Sequence, residues 1–468
     1  MNPRTRRSAS ARRKNRQTVR LLKEASQRGI RYLEEIQSRH VAPKGVDKLK
    51  RLDHPLPPHP TDPQKTLALL DSVVSPATMG MAGPRFFGFV IGGSLPVAVG
   101  ANWLATAWDQ NTALYKVTPG TAHLEKVALG WLVEILRLPA GSAGAFVTGA
   151  TVANFTALAA ARHAVLKRAG WNVESDGLFG APNITVVVGE EAHPTVMKSL
   201  GLLGLGRNRV IRVPVDSQGR MRAERLPKFS GPSIVCVQAG NVNTGAVDPL
   251  HDIIAYAHSR GAWVHVDGAF GLWASASPGL ASLMKGVEEA DSWATDAHKW
   301  LNVPRDCGIA FVSPKEKDAL KAAMAITAEY LPTEGDQRNP SDYTPELSRR
   351  ARGVEVWAVL RTLGKSGVAD LVDRTCRHAR RFAEGLSDAG FTVLNDVVLN
   401  QVLVSFGDAR NTEQVIARIQ SDGTCWCGGT VWQGKTAMRI SVSSWATTDS
   451  DVEMSLKSMI CAAANRGR

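Results

Sequence analysis

Trp263-Val264-His265-Val266-Asp267-Gly268-Ala269-Phe270-Gly271 is a short run of β-branched and aromatic residues that ends on a carboxylate and breaks at a glycine. Such a run reads as a strand that delivers Asp267 to the start of a loop. Beginning 24 positions after Asp267, Asp291-Ser292-Trp293-Ala294-Thr295-Asp296-Ala297-His298-Lys299-Trp300 gathers an acid, a histidine and a lysine into one turn. Upstream, Thr148-Gly149-Ala150-Thr151-Val152-Ala153-Asn154 is a glycine turn that opens an alanine-rich helical stretch. A boundary of that kind leaves backbone N–H groups free at a helix start.

Outward from these three stretches the chain alternates in the same way. Strands are predicted over 145–147, 184–188, 210–213, 234–238, 263–266 and 309–312, with helical segments such as 153–168 and 250–260 between them. Near-continuous apolar runs like Ile184-Thr185-Val186-Val187-Val188 fit strands covered on both faces. The expected fold is therefore α/β, with a large domain built on a mostly parallel sheet. Past about Lys315 the chain turns helical and charged, then closes with strands over 401–406 and 438–443 and a helix over 451–464. At 468 residues it exceeds what one core supports. The reading divides it into a basic tail and N-terminal helical arm over 1–82, a large domain over 83–315 and a small C-terminal α+β domain over 316–468. The arm combines a helical pattern over 21–36 with the connector Pro55-Leu56-Pro57-Pro58-His59-Pro60.

The net charge of +13 is local. Eight Lys or Arg and no acid fall within residues 1–20, and removing them leaves +5. The tail reads as a solvated, disordered end, as a binder of phosphates and acidic surfaces, or as a stretch resembling a transit peptide. Contact with nucleic acid is expected nowhere else. No apolar run approaches the roughly 20 residues a membrane span needs, and no signal-peptide core follows the basic start. The six cysteines are scattered, and Cys425-Trp426-Cys427 has neither zinc nor redox spacing. They imply reduced thiols in a cytoplasmic protein with no metal site.

An amine to hold an aldehyde, a carboxylate to keep a ring nitrogen protonated and a helix start to cradle a phosphate are what pyridoxal phosphate requires. Lys299, Asp267 and the Gly149 turn supply those three groups. Each piece alone is commonplace: strand-terminal Asp residues cap turns, and glycine turns before helices are mostly structural.

Together, and in this order, they resemble the fold-type-I pyridoxal-phosphate enzymes. More narrowly they resemble the group II amino-acid decarboxylases, the aromatic-amino-acid, tyrosine and glutamate decarboxylase-like family. The family's His-Val-Asp-Ala-Ala-Tyr-Gly stands here as His265 to Gly271, and its Asp-Pro-His-Lys-Trp-Leu as Asp296 to Leu301. Its phosphate loop stands as Thr148 to Asn154, with further echoes at Pro84 to Gly88, Leu347 to Arg352 and Arg439 to Ser443. The resemblance spans about residues 67–459. It implies a fold-type-I transferase architecture with a seven-stranded-type sheet, pyridoxal 5'-phosphate as a Schiff base on Lys299, and a homodimer.

The same resemblance assigns residues. His193 stacks on the cofactor ring, Asp267 faces its nitrogen and Ala269 packs against it. Gly149, Ala150 and Thr151 hold the phosphate with Asp296 and His298 close by, and Asn241 partners the ring hydroxyl. Tyr343 stands where the family has a mobile loop whose tyrosine returns a proton to Cα. Arg439 either clamps a substrate carboxylate or pairs within the small domain, and Arg349, Arg350 and Arg352 take a phosphate or domain-interface role. The sequence departs from the family pattern at Phe89-Val90-Ile91-Gly92-Gly93, where the aromatic decarboxylases place a Thr after Phe-Pro. The implied function is decarboxylation of an L-amino acid to its amine and carbon dioxide, with an aromatic side chain favoured. The alternatives are an aminotransferase or aldehyde-forming oxidative deaminase on the same scaffold and, outside catalysis, an idle binding module.

Overall fold

The computed structural model describes residues 3–326 and 337–464, with side chains from residue 15 onward. The chain opens with helix α1 (Pro3–Glu35), the short α2 (Pro63–Leu69), α3 (Pro96–Trp108) and α4 (Pro119–Ile135). Proline occupies the first turn of α2, α3 and α4, where its missing N–H costs nothing and its fixed φ starts the helix. Helix α1 begins at Pro3 rather than near Leu21, so the stretch expected to be a disordered tail has helical backbone from its third residue. Arg, Lys, Gln and Ala dominate it, and all are good helix formers.

The large sheet is assembled from β1 (Ala143–Val147), α5 (Ala150–Arg168), α6 (Val173–Asp176), β2 (Thr185–Gly189), α7 (Pro194–Leu202) and β3 (Ile211–Val213). It continues with β4 (Ser233–Gln238), α8 (Leu250–His258), β5 (Trp263–Asp267), β6 (Ser292–Asp296) and β7 (Gly308–Val312). The seven strands run in the order β1-β7-β6-β5-β4-β2-β3. Strand β7 is antiparallel to both neighbours and the other pairings are parallel. Strand β6 was not foreseen, because Ser292-Trp293-Ala294-Thr295-Asp296 lacks the apolar run of its neighbours. It is buried along its whole length all the same.

Beyond residue 315 the large layer goes on. Helix α9 (Lys317–Met324) packs on α5 through Leu320 and Met324. Helix α10 (Gly353–Asp388) sets Val356, Val359 and Leu360 into the same core as Phe146, Val264 and Trp293. It breaks at Gly364, whose φ of 61° a side chain would resist. Its later residues Phe382 and Leu386 instead join Val402 and Ile440 in the core of the small domain. Beyond the Gly364 break Val368, Val372 and Cys376 still belong to the large core, so the boundary expected at 315 is early and α10 passes from one core to the other between Cys376 and Ala379. The small domain adds β8 (Thr392–Val393), β9 (Gln401–Ser405), α11 (Ala409–Asp422), β10 (Gly428–Trp432), β11 (Lys435–Ser441) and α12 (Asp449–Ala464). Its four strands form an antiparallel sheet in the order β10-β11-β9-β8.

Candidate active site

Strands β5 and β6 lie side by side and each ends on a carboxylate, Asp267 and Asp296. Asp267 is buried and receives the Ala269 N–H at 3.3 Å. Burial pushes its carboxyl up, while the nearby His193 and Lys299 oppose that shift. Lys299, in the turn after β6, places Nζ 3.0 Å from Asp296 Oδ2. The second oxygen of that carboxylate, Oδ1, is buried without a partner. His298 accepts the Cys307 N–H on Nδ1 at 3.1 Å, which leaves the proton on Nε2, 3.7 Å from Asp296 Oδ2. Burial lowers the proton affinity of His298.

Two residues hold the Lys299 turn. A Cβ on Gly92 would lie 2.0 Å from the Lys299 carbonyl oxygen, so only glycine fits there. Asn302, at a left-handed φ of 59°, donates to the carbonyls of Trp300 at 2.7 Å and Ser443 at 3.0 Å, and accepts the Trp445 N–H at 2.9 Å. It ties the turn to the small domain. Neither contact was foreseen. The one available signal was an Asn between Leu301 and Val303-Pro304, a type that tolerates the left-handed region.

Facing the lysine, the first turn of α5 has no side-chain cap. Its free N–H groups and the positive end of the helix suit an anion. A Cβ on Gly149 would lie 3.3 Å from His298 Cε1 and 3.6 Å from Asp296 Oδ1. The helix start, His298 and Asp296 are thus one cluster. The Thr151 carbonyl accepts the Ser199 hydroxyl of α7 at 2.9 Å, and His193 caps the start of α7. Its Nδ1 accepts from the Thr195 N–H at 3.3 Å and meets the Thr195 hydroxyl at 2.7 Å. Burial lowers the proton affinity of His193, with Asp267 pulling the other way. His193 and Asp267 line a narrow crevice together with Ala192, Cys236 and Gln238. Ala269 stands beside it, its carbonyl accepting the Asp296 N–H at 2.9 Å.

Lys299, Asp267, His193, Ala269, Gly149, Ala150, Thr151, Asp296 and His298 are thereby brought to one end of the sheet. Asn241 and Tyr343 are used differently from what was expected. The Asn241 side-chain oxygen closes its own turn, accepting the N–H groups of Asn243 at 2.8 Å and Thr244 at 3.2 Å, and its amide donates to Gln238 Oε1. It shapes the loop rather than offering a group to a ligand. Tyr343 is 5% exposed and packs in the core with Leu158, Leu320 and Met324, the Arg338 guanidinium 4.4 Å above its ring. It does not lie on an exposed loop. Arg349 is buried against Glu125 at 2.7 Å and donates to the Phe146 carbonyl at 2.7 Å, a structural use. Arg439, on β11, contacts Asn243 Oδ1 at 3.4 Å, has no carboxylate within ion-pair reach among the described residues, and acts electrostatically on His193.

The profile of the pyridoxal-dependent decarboxylase conserved domain matches residues 47–407. The chain belongs to that family. As a pyridoxal-dependent decarboxylase it uses pyridoxal phosphate to remove carbon dioxide from an amino acid, and an aminotransferase activity is not favoured. It is 28% identical over 419 residues to tryptophan decarboxylase 1 of Oryza sativa subsp. japonica, covering 81% of this chain and 80% of the relative. It is 29% identical over 324 residues to an acidic amino acid decarboxylase of Bos taurus, covering 66% of this decarboxylase and 61% of that one. The fold matches the crystal structure of Oryza sativa TDC with PLP and tryptamine at a TM-score of 0.88 and 23% identity, over 96% of this chain and 98% of that one. The site's residues fit the cofactor: a buried carboxylate with spare capacity for a ring nitrogen, an amine 3.0 Å from Asp296, whose Oδ1 has no partner among the described residues, and an uncapped helix start open to a phosphate. No described helix of this decarboxylase is long and apolar enough to cross a membrane.

Proposed function

We propose that this pyridoxal-dependent decarboxylase acts on an L-aromatic amino acid at the ends of β5 and β6, as a cytoplasmic homodimer. The observation that carries the site assignment is that Lys299 and the uncapped start of α5 both meet Asp296, beside the buried Asp267 on which Lys299 and His193 act electrostatically. Bound there, the cofactor would supply an electron sink for the substrate's Cα. Lys299 would supply the amine that holds it, and Asp296, 3.0 Å from its Nζ, orients that amine. Asp267 keeps the ring nitrogen protonated, and a buried carboxylate beside a buried cation favours that charge state on both. His193, which lines the crevice with Asp267, would pack against the ring. Held neutral by burial, it can take up and return a proton at Cα. The N–H groups of Ala150 and Thr151, with His298, bind the phosphate.

Arg439 is proposed to hold the substrate carboxylate, since its half-buried guanidinium lacks an acid and a fork of donors suits that group. The aromatic side chain is supported by Phe89. That residue is 60% exposed, stacks on Trp426 with centroids 5.6 Å apart, and precedes by three residues the Gly92 that packs on the Lys299 turn. Turnover of the twenty L-amino acids, followed as amine and carbon dioxide, tests the reading. Aromatic substrates are expected to lead, and an acidic amino acid turned over faster would overturn it.

The dimer rests on a different surface. Leu22, Ile30 and Leu33 of α1 and Trp103, Leu104 and Trp108 of α3 are exposed, and Gly29 meets Trp103, so the two helices present one apolar face. A second copy covers it in this reading. Sedimentation should give twice the chain mass, and Trp103→Glu should halve it. The cytoplasmic assignment draws on the six free cysteines, five of them buried.

A further inference from the structure

We infer that His265 and Asn154 form a positioning pair that sets the distance between the phosphate-binding helix start and Asp267. The inference rests on the cofactor placement proposed above. His265 Nε2 lies 2.8 Å from Asn154 Oδ1, and His265 Nδ1 lies 2.9 Å from Ser292 Oγ. The Trp263 indole donates to the same Ser292 oxygen at 2.8 Å. All four side chains are fully buried.

The proton positions follow from the partners. Asn154 Oδ1 only accepts, so His265 Nε2 carries the proton. Ser292 takes the indole N–H on its oxygen and is left to donate its own proton to Nδ1. The ring is neutral, as its burial requires: that environment pushes its pKa down to about 3. The result is a directed chain from Trp263 through Ser292 and His265 to Asn154.

What gives the chain its consequence is where its members sit. Asn154 is on α5, one turn beyond the helix start at Ala150. His265 is on β5, two residues before Asp267 and on the same face, because side chains alternate along a strand. Ser292 opens β6, the strand that ends at Asp296 and leads to Lys299. One histidine therefore joins the three elements that carry the phosphate turn, the ring carboxylate and the lysine.

The rest of the α5–sheet contact is smooth. Ala153 meets Val147, Ala294 and Ala310, small side chains that specify little about how far a helix slides along a sheet. Among the described residues, Asn154 to His265 is the one hydrogen bond from a side chain of α5 to a strand of this sheet. It also leaves Asn154 Nδ2 buried without a partner, which a contact evolved only to pack would not tolerate. A directional polar pair inside an apolar seam fixes register.

The test compares the affinities of two ligands, pyridoxal phosphate and pyridoxal, for the apo form of the full chain by absorbance titration. Only the phosphate-bearing ligand must span the helix start and Asp267 at once. In His265→Phe the ratio of the two affinities should fall at least tenfold. Asn154→Ala, a smaller change should the first variant not fold, should lower the same ratio. His265→Gln keeps an N–H for Asn154 and should restore it to within threefold of the parent. Thermal melting run alongside isolates stability: a variant that melts earlier with an unchanged ratio has lost only packing. An unchanged ratio in both His265→Phe and Asn154→Ala overturns the inference. Borohydride trapping of the parent separates the two layers, because an adduct away from Lys299 would refute the cofactor placement itself.

Discussion

Two buried charge clusters in this molecule differ in one respect. Around Glu125 the charges are closed upon each other. Its carboxylate takes Arg349 at 2.7 Å and Arg338 at 3.1 Å, and the two guanidinium groups also donate to the carbonyls of Thr112, Phe146 and Gly144. Among the described residues only Arg349 Nε is left over. Around Asp267 and Asp296 the charges are open. Asp267 holds one 3.3 Å hydrogen bond, Asp296 Oδ1 holds none, and Lys299 is tied to a single carboxylate. A buried charge left with unused hydrogen-bonding capacity costs folding energy. The first cluster fixes where α4 meets β1, and the second keeps capacity for a ligand. Arginines and aspartates thus look alike in sequence and divide by whether the fold itself completes them.

Variants should separate the clusters by moving stability and turnover in opposite directions. Asp267→Asn should cut turnover by about 10³-fold or more, the scale of removing a group that stabilises charge in the reaction. The apo protein should be no less stable, and more stable as pH rises. Burial raises the Asp267 pKa, so its ionised form penalises the fold above that raised value and the penalty vanishes as pH falls below the ordinary carboxylate range. Loss of apo stability at neutral pH would break the comparison. Arg349→Met should do the reverse, costing about 3–5 kcal/mol of stability by stranding Glu125. Its turnover per folded holoenzyme should change by no more than a few fold, read by denaturant unfolding beside steady-state kinetics.

A smaller effect concerns pH. Burial holds the His193 pKa below an ordinary histidine's 6.5, so the acid limb of kcat/KM should fall below that pH. In His193→Gln the limb should flatten along with the rate. An acid limb above 6.5 that survives the substitution would place the titrating group elsewhere. The smallest effect belongs to Tyr343→Phe. The ring is packed under α9 with Arg338 above it, so the products should remain amine and carbon dioxide, and stability should shift by less than about 1 kcal/mol. Aldehyde and peroxide from that variant would return the tyrosine to the chemistry.

What the sequence made legible follows the range of the interactions involved. Asp267, Lys299 and the Gly149 turn lie on strand ends and a helix start written in contiguous residues, and the structure gathers them. Strand β6 was invisible because its Ser292 is satisfied by Trp263 and His265, residues of another strand. Tyr343 read as a loop residue because its burial depends on Arg338 and on α9, which pack onto it only in the folded chain. Asn241 was misread for the opposite reason: its side chain is spent locally, on the N–H groups two and three residues ahead. The boundary at 315 followed a change in composition, whereas the cores change between Cys376 and Ala379, inside α10. Gly92 is adjacent to the site through the Lys299 turn, a contact no local pattern encodes.

The central claim is that the open cluster holds the cofactor through Lys299. Borohydride reduction of the holoenzyme followed by peptide mapping tests it directly. The account predicts a single pyridoxyl group on the peptide containing Asp296-Ala297-His298-Lys299-Trp300, with loss of the visible absorbance and of turnover in step. A pyridoxyl group on any other lysine, with Lys299 unmodified, would contradict it.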